Sequence, residues 1–278
     1  EGTYELMKTF IAIAEKEAEQ IKKISRYSKS RYPVGESYPI SWKIDSSKTT
    51  RLNFKGYTGT LVSSKVTHSN RLKYDRNLPF TKKIAYQNYY LPDKKIRIPE
   101  SYIVPKSWWR IVELLKLNQI EMVPIKKDTM IEATVYKIEN FETVQNPYEG
   151  HYLHYNTQVS SKIERIQVSA GDYRITTQQE GVRYLLETLE PSATDSFFNW
   201  NFFDTILQQK EGFSPYVWED KAFELLENNA ALQKEFERKK TKDPLFAKNA
   251  YEQLDWIHKQ SDHYEKAHLR YPIVKIGD

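Results

Sequence analysis

Short stretches rich in β-branched and aromatic residues recur between residues 40 and 176, and they constrain the fold more than any other feature. Such residues favour strands, and the Ser, Asn and Pro residues between the stretches favour turns. The segments before and after this region have apolar residues three and four positions apart, the period of a helix. The sequence therefore predicts an α+β protein with an N-terminal helix, a β-rich middle with a small antiparallel sandwich, and a helical C-terminal part. The predicted strands are 40–44, 50–54, 57–62, 83–90, 120–125, 130–138, 150–159, 163–168 and 172–176, with a tight turn at 170–171.

The N-terminal helix is predicted over residues 3–25, with one apolar face and one face of Lys and Glu. Burying each large apolar side chain is worth roughly 1.5–3 kcal/mol, so we expect the helix to dock on the rest of the chain or to pair with another copy or a partner. The first residue is not Met and the first turn already fits a helix, so we expect a piece of a longer protein. The stripe consists of Met7, Phe10, Ile11, Ala14, Ala18 and Ile21.

Capping residues predict three further helix boundaries. Ser107 is expected to cap a helix over residues 108–117 that ends at Asn118. Ser214-Pro215 and Asp243-Pro244 each combine a capping side chain with a proline at the first helical position. The helical period returns from Gln179 onward.

Three segments are predicted: an amphipathic helix at 1–30, a β-rich accessory domain at 31–190, and a helical region at 191–278 packed on it. Residues 26–39 are expected to be a linker, since the prolines at 33 and 39 each force extended backbone at the preceding Tyr. The length of 278 residues allows one or two domains with a sizeable core.

Composition excludes several classes of protein. There is no Cys, which rules out disulfides, thiolate zinc sites and cysteine nucleophiles. No apolar run approaches the ~20 residues of a membrane span. The net charge of +5 combines +12 over residues 31–127 with −8 over residues 128–278 and +1 over residues 1–30. We expect the basic and acidic parts to face each other, and no nucleic acid partner, because the basic residues form no phosphate-tracking stripe.

Six histidines are available for metal binding or catalysis. His151 and His154 form the best pair, but residues three apart on a strand point to opposite faces, so they share a metal only if the segment is helical. His263 and His268 also lack a helical spacing for a metal pair. No nucleophile elbow, P-loop or dinucleotide-binding glycine motif occurs.

Carboxylates and aromatic residues leave two alternatives open. Glu149, Glu187 and Glu190 are candidates for a glycoside-hydrolysing pair, against a surface or capping role. The aromatic residues, among them Trp108, Trp109, Trp200 and Trp218, can stack on sugars or fill the core. An aromatic-rich binding module for glycans or cell-surface polymers is therefore the alternative function, and it requires exposed aromatic residues on the β-rich part.

Residues 185–204, LLETLEPSATDSFFNWNFFD, are more specific than any periodicity. The segment resembles the C-terminal region of large bacterial zinc carboxypeptidases, of the type found in Bacteroidetes, in the carboxypeptidase A-like metallopeptidase family. The resemblance spans most of the chain. Its other segments are 102–109, 148–152, 208–214, 216–220 and 268–272.

The resemblance implies that the chemistry lies outside this chain. The family's zinc ligands form a His-x-x-Glu motif with a distant His, and no His-x-x-Glu occurs here. The helix at 1–30 resembles the last helix of the family's catalytic domain, so the glutamate base and the zinc ligands are expected upstream of Glu1. We therefore expect no catalytic or metal residue and no cofactor in this chain, which by itself should be inactive; its substrate-binding residues stay unassigned.

The resemblance further implies what the parent protein does. It would be a periplasmic or secreted zinc carboxypeptidase that removes C-terminal residues from peptides. The partner of this chain would be the upstream catalytic domain of the same protein.

Overall fold

The protein combines helices with antiparallel sheets, which confirms the α+β class. The computed structural model describes residues 2–25, 32–209 and 212–277. The described α-helices are α1 Gly2–Lys16, α2 Ala18–Ser25, α3 Trp109–Leu117, α4 Val182–Leu189, α5 Pro215–Glu227, α6 Ala230–Lys242 and α7 Ala250–Lys259, and short 3-10 helices occupy Asp204–Leu207 and Phe246–Lys248. The strands are β1 Ser37–Pro39, β2 Trp42–Ile44, β3 Thr50–Ser63, β4 Asn70–Tyr86, β5 Tyr90–Pro92, β6 Lys95–Arg97, β7 Ser101–Val104, β8 Val123–Pro124, β9 Thr129–Thr143, β10 His154–Val168, β11 Tyr173–Thr176 and β12 Val274–Ile276.

The chain divides into two compact units, residues 37–96 and residues 1–36 with 97–278. The larger unit contains an antiparallel sheet of six strands in the order β10-β9-β12-β7-β11-β8. The strands predicted to form a small sandwich thus lie in one sheet. The end of α4, rather than a second sheet, meets its Tyr102 side, where Tyr102 bonds Glu190. The predicted division at residues 30 and 190 stays a prediction.

The opposite side of this sheet carries an aliphatic cluster. Strand alternation places every second residue on the same side, and neighbouring strands align these residues. The cluster is Ile103, Ala133, Val135, Val168 and Val274, with the partly buried Ile125, Ile131, Ile166 and Ile276 packed against it. A separate aromatic core joins the C-terminal helices through Trp218, Ala222, Phe236, Phe246, Leu254 and Ile257.

The paired strands β9 and β10 are longer than the sequence predicts. Residues 150–159 and 163–168 were predicted as separate strands, whereas β10 runs unbroken through Ser160, Ser161 and Lys162. Backbone pairing with β9 continues through these polar residues because their side chains are exposed and cost nothing there. The turn at Gly171, with φ of +92°, follows β10 but joins two strands that are not paired with each other.

The predicted helix caps have mixed outcomes. Asn118 ends α3 as predicted, but α3 begins after Trp108 and no side chain caps it, so the Ser107 cap is wrong. Ser214 is the N-cap of α5 with Pro215 following it, yet its hydroxyl makes no capping bond. Asp243 ends α6, and its carboxylate accepts from the backbone N–H groups two and three residues later, which opens a 3-10 helix rather than an α-helix.

The N-terminal helix has the predicted extent and an unpredicted exposure. It is divided into α1 and α2, and none of the residues of α1 is buried. Phe10 and Ile11, in the middle of the apolar stripe, are 55% and 64% exposed. The expectation that the helix docks on this chain is therefore wrong, whereas pairing with another copy or partner stays a prediction. Residues 26–31 of the predicted linker lie outside the described residues, as do 210 and 211 of the 208–214 segment.

The smaller unit, residues 37–96, consists of two-stranded sheets: β1 with β6, β2 with β5, and β3 with β4. The β3–β4 pair is its longest element, and none of its residues is buried. The Phe80 ring covers Gly56 on the facing strand, where an added Cβ would lie 2.8 Å from the ring. The sequence did not predict the first part of β4, because its many charged residues hide the strand pattern.

No helix in the described parts of the chain combines the length and apolar character that crossing a bilayer requires.

Candidate functional site

The segment that carries the family resemblance begins at the end of α4. The helix stops at Glu190, whose backbone is extended, because Pro191 disfavours helical conformation in the residue before it. The following residues form hydrogen-bonded turns that lead to the 3-10 helix at Asp204–Leu207. Glu190 and the side chains of residues 196–204 are thereby brought against the sheet.

Glu190 is the centre of a buried polar cluster. Its carboxylate accepts a hydrogen bond of 2.7 Å from the hydroxyl of Tyr102 and another of 2.7 Å from the hydroxyl of Tyr136. Lys275 Nζ lies 3.8 Å from Glu190 Oε1, and the Glu190 and Lys275 side chains are 1% and 4% exposed. A buried carboxylate is tolerated when it is paired and hydrogen-bonded, and both conditions are met here.

Burial controls the protonation of the phenols around Glu190. Desolvation raises the pKa of Tyr102 well above its ordinary value of 10, and the Glu190 carboxylate raises it further. Desolvation and Glu190 act in the same direction on the pKa of Tyr271, whose hydroxyl donates to the Leu189 carbonyl at 2.9 Å. The phenols therefore remain hydrogen-bond donors at neutral pH and join α4 to β7, β9 and the chain preceding β12.

Asn199 holds the resemblance segment in its folded conformation. Its side-chain oxygen accepts from the hydroxyl of Thr157 on β10 at 2.7 Å, and its NH2 donates to the Ala193 carbonyl at 2.8 Å. Its backbone N–H donates to the Ser196 hydroxyl at 3.0 Å. Asn199 is buried, so each of these bonds replaces one that water would otherwise supply. Asn199 therefore has a structural role.

His154 lies at the start of β10 in a second polar cluster. Its Nδ1 is 2.9 Å from the hydroxyl of Thr143, and its Nε2 is 3.1 Å from Asp204 Oδ1. The Asn201 side-chain nitrogen is also 3.1 Å from Nε2 and donates to the Tyr152 carbonyl at 2.8 Å. Asn201 has a φ of +65°, a left-handed conformation that Asn adopts more readily than most residues.

The hydroxyl, imidazole and carboxylate of this cluster are connected in series. Such a series holds the imidazole in a fixed orientation. The imidazole is buried, while the Asp204 side chain is 47% exposed. Phe141 and Phe198 pack against the imidazole with ring centroids 4.6 and 5.1 Å away. The contacts fix the 198–204 segment to the end of the β9–β10 pair.

His151 does not join His154 in a common site. It lies in a bridge with Tyr148, outside the strand, and its ring stacks on Phe202 with centroids 5.7 Å apart. The edge of its ring also meets Trp200 at 5.5 Å. His151 is therefore part of an aromatic cluster with Trp200 and Phe202.

His263 and His268 are also used in side-chain packing and hydrogen bonding. The His263 ring meets Trp218 edge-on at 5.6 Å, and the Tyr264 hydroxyl makes a short hydrogen bond with His268 Nδ1. In the described residues, no group of three His, Cys, Asp or Glu is arranged to hold a metal ion. The expectations of no metal and no catalytic residue in this chain stay predictions.

The three candidate carboxylates have different surroundings. Glu190 is buried in the Glu190 cluster. Glu187 Oε1 lies 3.8 Å from Nε of Arg183, one helical turn earlier on α4. Glu149 has a φ of +49° in the turn before Gly150. The structure thus gives Glu190 a structural position and gives no sign of a hydrolytic pair with it.

Sequence reasoning missed the partners of Glu190 and His154. Lys275 carried a signal, because a single Lys within the otherwise apolar 273–276 must be either exposed or paired. Tyr102 lies in the resemblance segment 102–109, but nothing in the sequence linked it to Glu190. Tyr136 and Thr143, both on β9, carried no signal, because only the folded sheet brings β7 and β9 to the end of α4.

Comparisons with known proteins give a distant similarity. The chain is 29% identical over 103 residues to "Carboxypeptidase 2" of Trichophyton tonsurans and, with the same identity and length, to "Carboxypeptidase 2" of Trichophyton equinum. The match covers 36% of this chain and 18% of each fungal protein, so the chain spans about a fifth of the curated relatives it matches. No protein-family model and no solved structure matches.

Proposed function

We propose that this chain is a non-catalytic accessory region of a carboxypeptidase-related protein. The observation that carries the proposal is the use of the resemblance segment 185–204: its Glu190, Asn199 and Asp204 all hold the fold together through hydrogen bonds, Asp204 through His154. The distant similarity to the fungal Carboxypeptidase 2 proteins supports the carboxypeptidase relation. The resemblance to bacterial zinc enzymes supports the more specific proposal that the parent protein is a zinc metallocarboxypeptidase.

In this proposal the parent is a periplasmic or secreted zinc metallocarboxypeptidase. Zinc and the catalytic glutamate belong to an upstream catalytic domain, which is the partner of this chain and acts on peptides. The sheet and the Glu190 cluster provide a rigid support for that domain.

A peptidase assay with metal analysis tests the proposal. The chain is incubated with peptides that have free or blocked C-termini, beside an active zinc carboxypeptidase as positive control, and its bound zinc is measured. We expect no release of C-terminal residues and no stoichiometric zinc. Release that is lost on adding a chelator, together with one zinc per chain, would overturn the non-catalytic role.

A second function is favoured by the exposed aromatic side chains of the smaller unit, residues 37–96. Trp42 and Ile44 lie on one side of β2 and face Pro92 and Tyr90 of β5. Trp42 and Tyr90 are each 58% exposed, as a glycan-binding platform requires. We propose this unit as a binding module for glycans or cell-surface polymers, compatible with the accessory role.

Co-sedimentation with insoluble peptidoglycan and with chitin tests the second function. We expect Trp42→Ala to reduce the bound fraction severalfold, while Trp109→Ala, an equally exposed Trp in the larger unit, leaves it unchanged. Equal binding by the two variants, or no binding by the unaltered chain, would exclude the aromatic platform.

A further inference from the structure

A cleft of about 570 Å³ lies between the β9–β10 pair and the segment 264–270. Its volume falls in the range of ligand-binding clefts, roughly 300–1,000 Å³. Of the Glu190 cluster only Tyr136 lines the cleft, and no residue of the His154 cluster does, so the cleft is separate from both. Its lining residues are Val135, Tyr136, Lys137, Ser160, Ser161, Lys162, Glu164, Tyr264, Lys266, His268 and Arg270.

The floor of the cleft is one side of the β9–β10 pair. Lys137 pairs directly with Ser160, and Val135 pairs with Lys162 two positions along. Residues directly opposite on antiparallel strands share a side, so both lysines project on the side of the buried Val135. This side of the sheet therefore presents two ammonium groups to the cleft.

The wall of the cleft supplies two more cations and an ion-paired carboxylate. Arg270 joins Lys137 through a backbone bridge, and its guanidinium lies 2.7 Å from Glu164 Oε2. Lys162 Nζ lies 2.6 Å from Glu164 Oε1. Partial burial acts to raise the pKa of Glu164, but hydrogen bonds from Lys162 and Arg270 outweigh it and lower the pKa. Both oxygens of this carboxylate are thus already engaged by cations.

The cleft retains an excess of positive charge. Among its described lining residues, four are Lys or Arg and one is a carboxylate. Lys137 makes no ion pair with a described residue, and Lys266 pairs at 3.0 Å with Asp262, a highly exposed residue outside the lining. Burial lowers the pKa of His268, which keeps it neutral as the acceptor from Tyr264.

We propose that this cleft binds the side-chain carboxylates of an acidic peptide segment. Lys137 and Lys266 would pair with the carboxylates, and Arg270 would add a charge already oriented by Glu164. The anionic character of the ligand follows from the cleft itself. Its peptide character rests on the proposed carboxypeptidase relation, in which the accessory region would select acidic peptides away from the zinc.

Fluorescence anisotropy with the full chain tests the cleft. The probes are a fluorescein-labelled hexaglutamate peptide and a hexaglutamine peptide with the same label. We expect binding of the glutamate peptide that weakens as ionic strength rises, and none of the glutamine peptide. The double variant Lys137→Gln/Lys266→Gln should weaken the affinity about tenfold, since both substitutions are exposed and leave the fold intact.

A matched variant controls for total charge. Lys234→Gln/Lys242→Gln removes the same charge from α6, outside the cleft, and should change the affinity less than twofold. An equal loss of affinity in the two double variants, or no binding of hexaglutamate by the unaltered chain, would refute the proposed binding site.

Competition separates a peptide from a simple anion. Unlabelled hexaglutamate should displace the probe at a concentration at least tenfold lower than inorganic phosphate, and equal displacement by phosphate would overturn the peptide assignment. None of these measurements involves catalysis. A chain that released C-terminal residues with bound zinc would refute the accessory role and leave the binding result intact. Absence of peptide binding would refute the binding cleft and leave the accessory role intact.

Discussion

Two strand pairs of nearly equal length behave differently in this protein. Strands β9 and β10 have 15 residues each, and strands β3 and β4 have 14 and 17. Four residues of β9 are buried, and its two sides meet the aliphatic cluster and the Glu190 cluster. None of the residues of β3 or β4 is buried.

The difference shows that backbone pairing alone does not create a core. A strand becomes a rigid support when it lies inside a larger sheet and another element covers one of its sides. For β9, the neighbouring β12 extends the sheet and the end of α4 meets the Tyr136 side. The β3–β4 pair depends on local features, such as the Phe80 ring over Gly56 and the cross-strand pair Leu61–Leu72. Four predictions test this contrast, from the largest expected effect to the smallest.

Removing the charge of Glu190 should have the largest effect. Glu190→Gln leaves Lys275 buried beside a neutral amide, and breaking a buried ion pair costs roughly 3–5 kcal/mol of unfolding free energy. Urea unfolding measures the loss. Glu187→Gln, on the same helix and beside Arg183, is the control and should cost less than 1 kcal/mol.

Hydrogen exchange on Glu190→Gln sharpens the comparison. Protection should fall in β9–β10, because Tyr136 on β9 loses a charged acceptor, and should stay unchanged in β3–β4. A double variant, Glu190→Gln/Lys275→Met, should recover part of the stability. Equal costs for Glu190→Gln and Glu187→Gln would show that the cluster does not anchor the sheet.

The same substitution in the two strand pairs should have unequal costs. Ile138→Ala on β9 removes a side chain that is 1% exposed and should cost about 2–5 kcal/mol. Ile84→Ala on β4 removes one that is 38% exposed and should cost less than 1 kcal/mol. Both values come from urea unfolding followed by far-UV circular dichroism. Similar costs would mean that β3–β4 is covered in solution by a partner.

The contrast also explains which parts of the fold the sequence predicted. The β9 and β10 regions followed from their β-branched and aromatic residues, and α3 from its helical period, because the buried residues of these elements leave a pattern. The first half of β4 did not follow, because a strand exposed on both sides has no pattern to leave. The candidate site was predicted only as segments: the resemblance pointed to residues 185–204 and 102–109 without linking them, while Tyr136 and Lys275 come from strands outside both.

Local hydrogen bonds, on which exposed elements depend, should have a smaller effect. Asp243 accepts from the backbone N–H groups of Leu245 and Phe246, both at 3.1 Å, so Asp243→Ala should cost about 1 kcal/mol. Ser214→Ala is the control, because the Ser214 hydroxyl makes no capping bond, and it should be neutral within ~0.5 kcal/mol. Thermal unfolding of both variants measures the difference. Equal melting temperatures would show that the bonds of Asp243 add no stability.

The N-terminal helix is as exposed as β3–β4, and its removal should have the smallest effect on stability. Because none of the residues of α1 is buried, deleting residues 1–25 should change the unfolding free energy of the rest by less than ~0.5 kcal/mol. The apolar stripe, with Met7 and Phe10 more than half exposed, should instead drive self-association that the deletion abolishes. Light scattering across a range of protein concentrations reports the association, and urea unfolding of the truncated chain reports the stability. A full-length chain that stays monomeric at high concentration would rule out pairing between copies, and a large loss of stability on truncation would show that the helix docks on the chain after all.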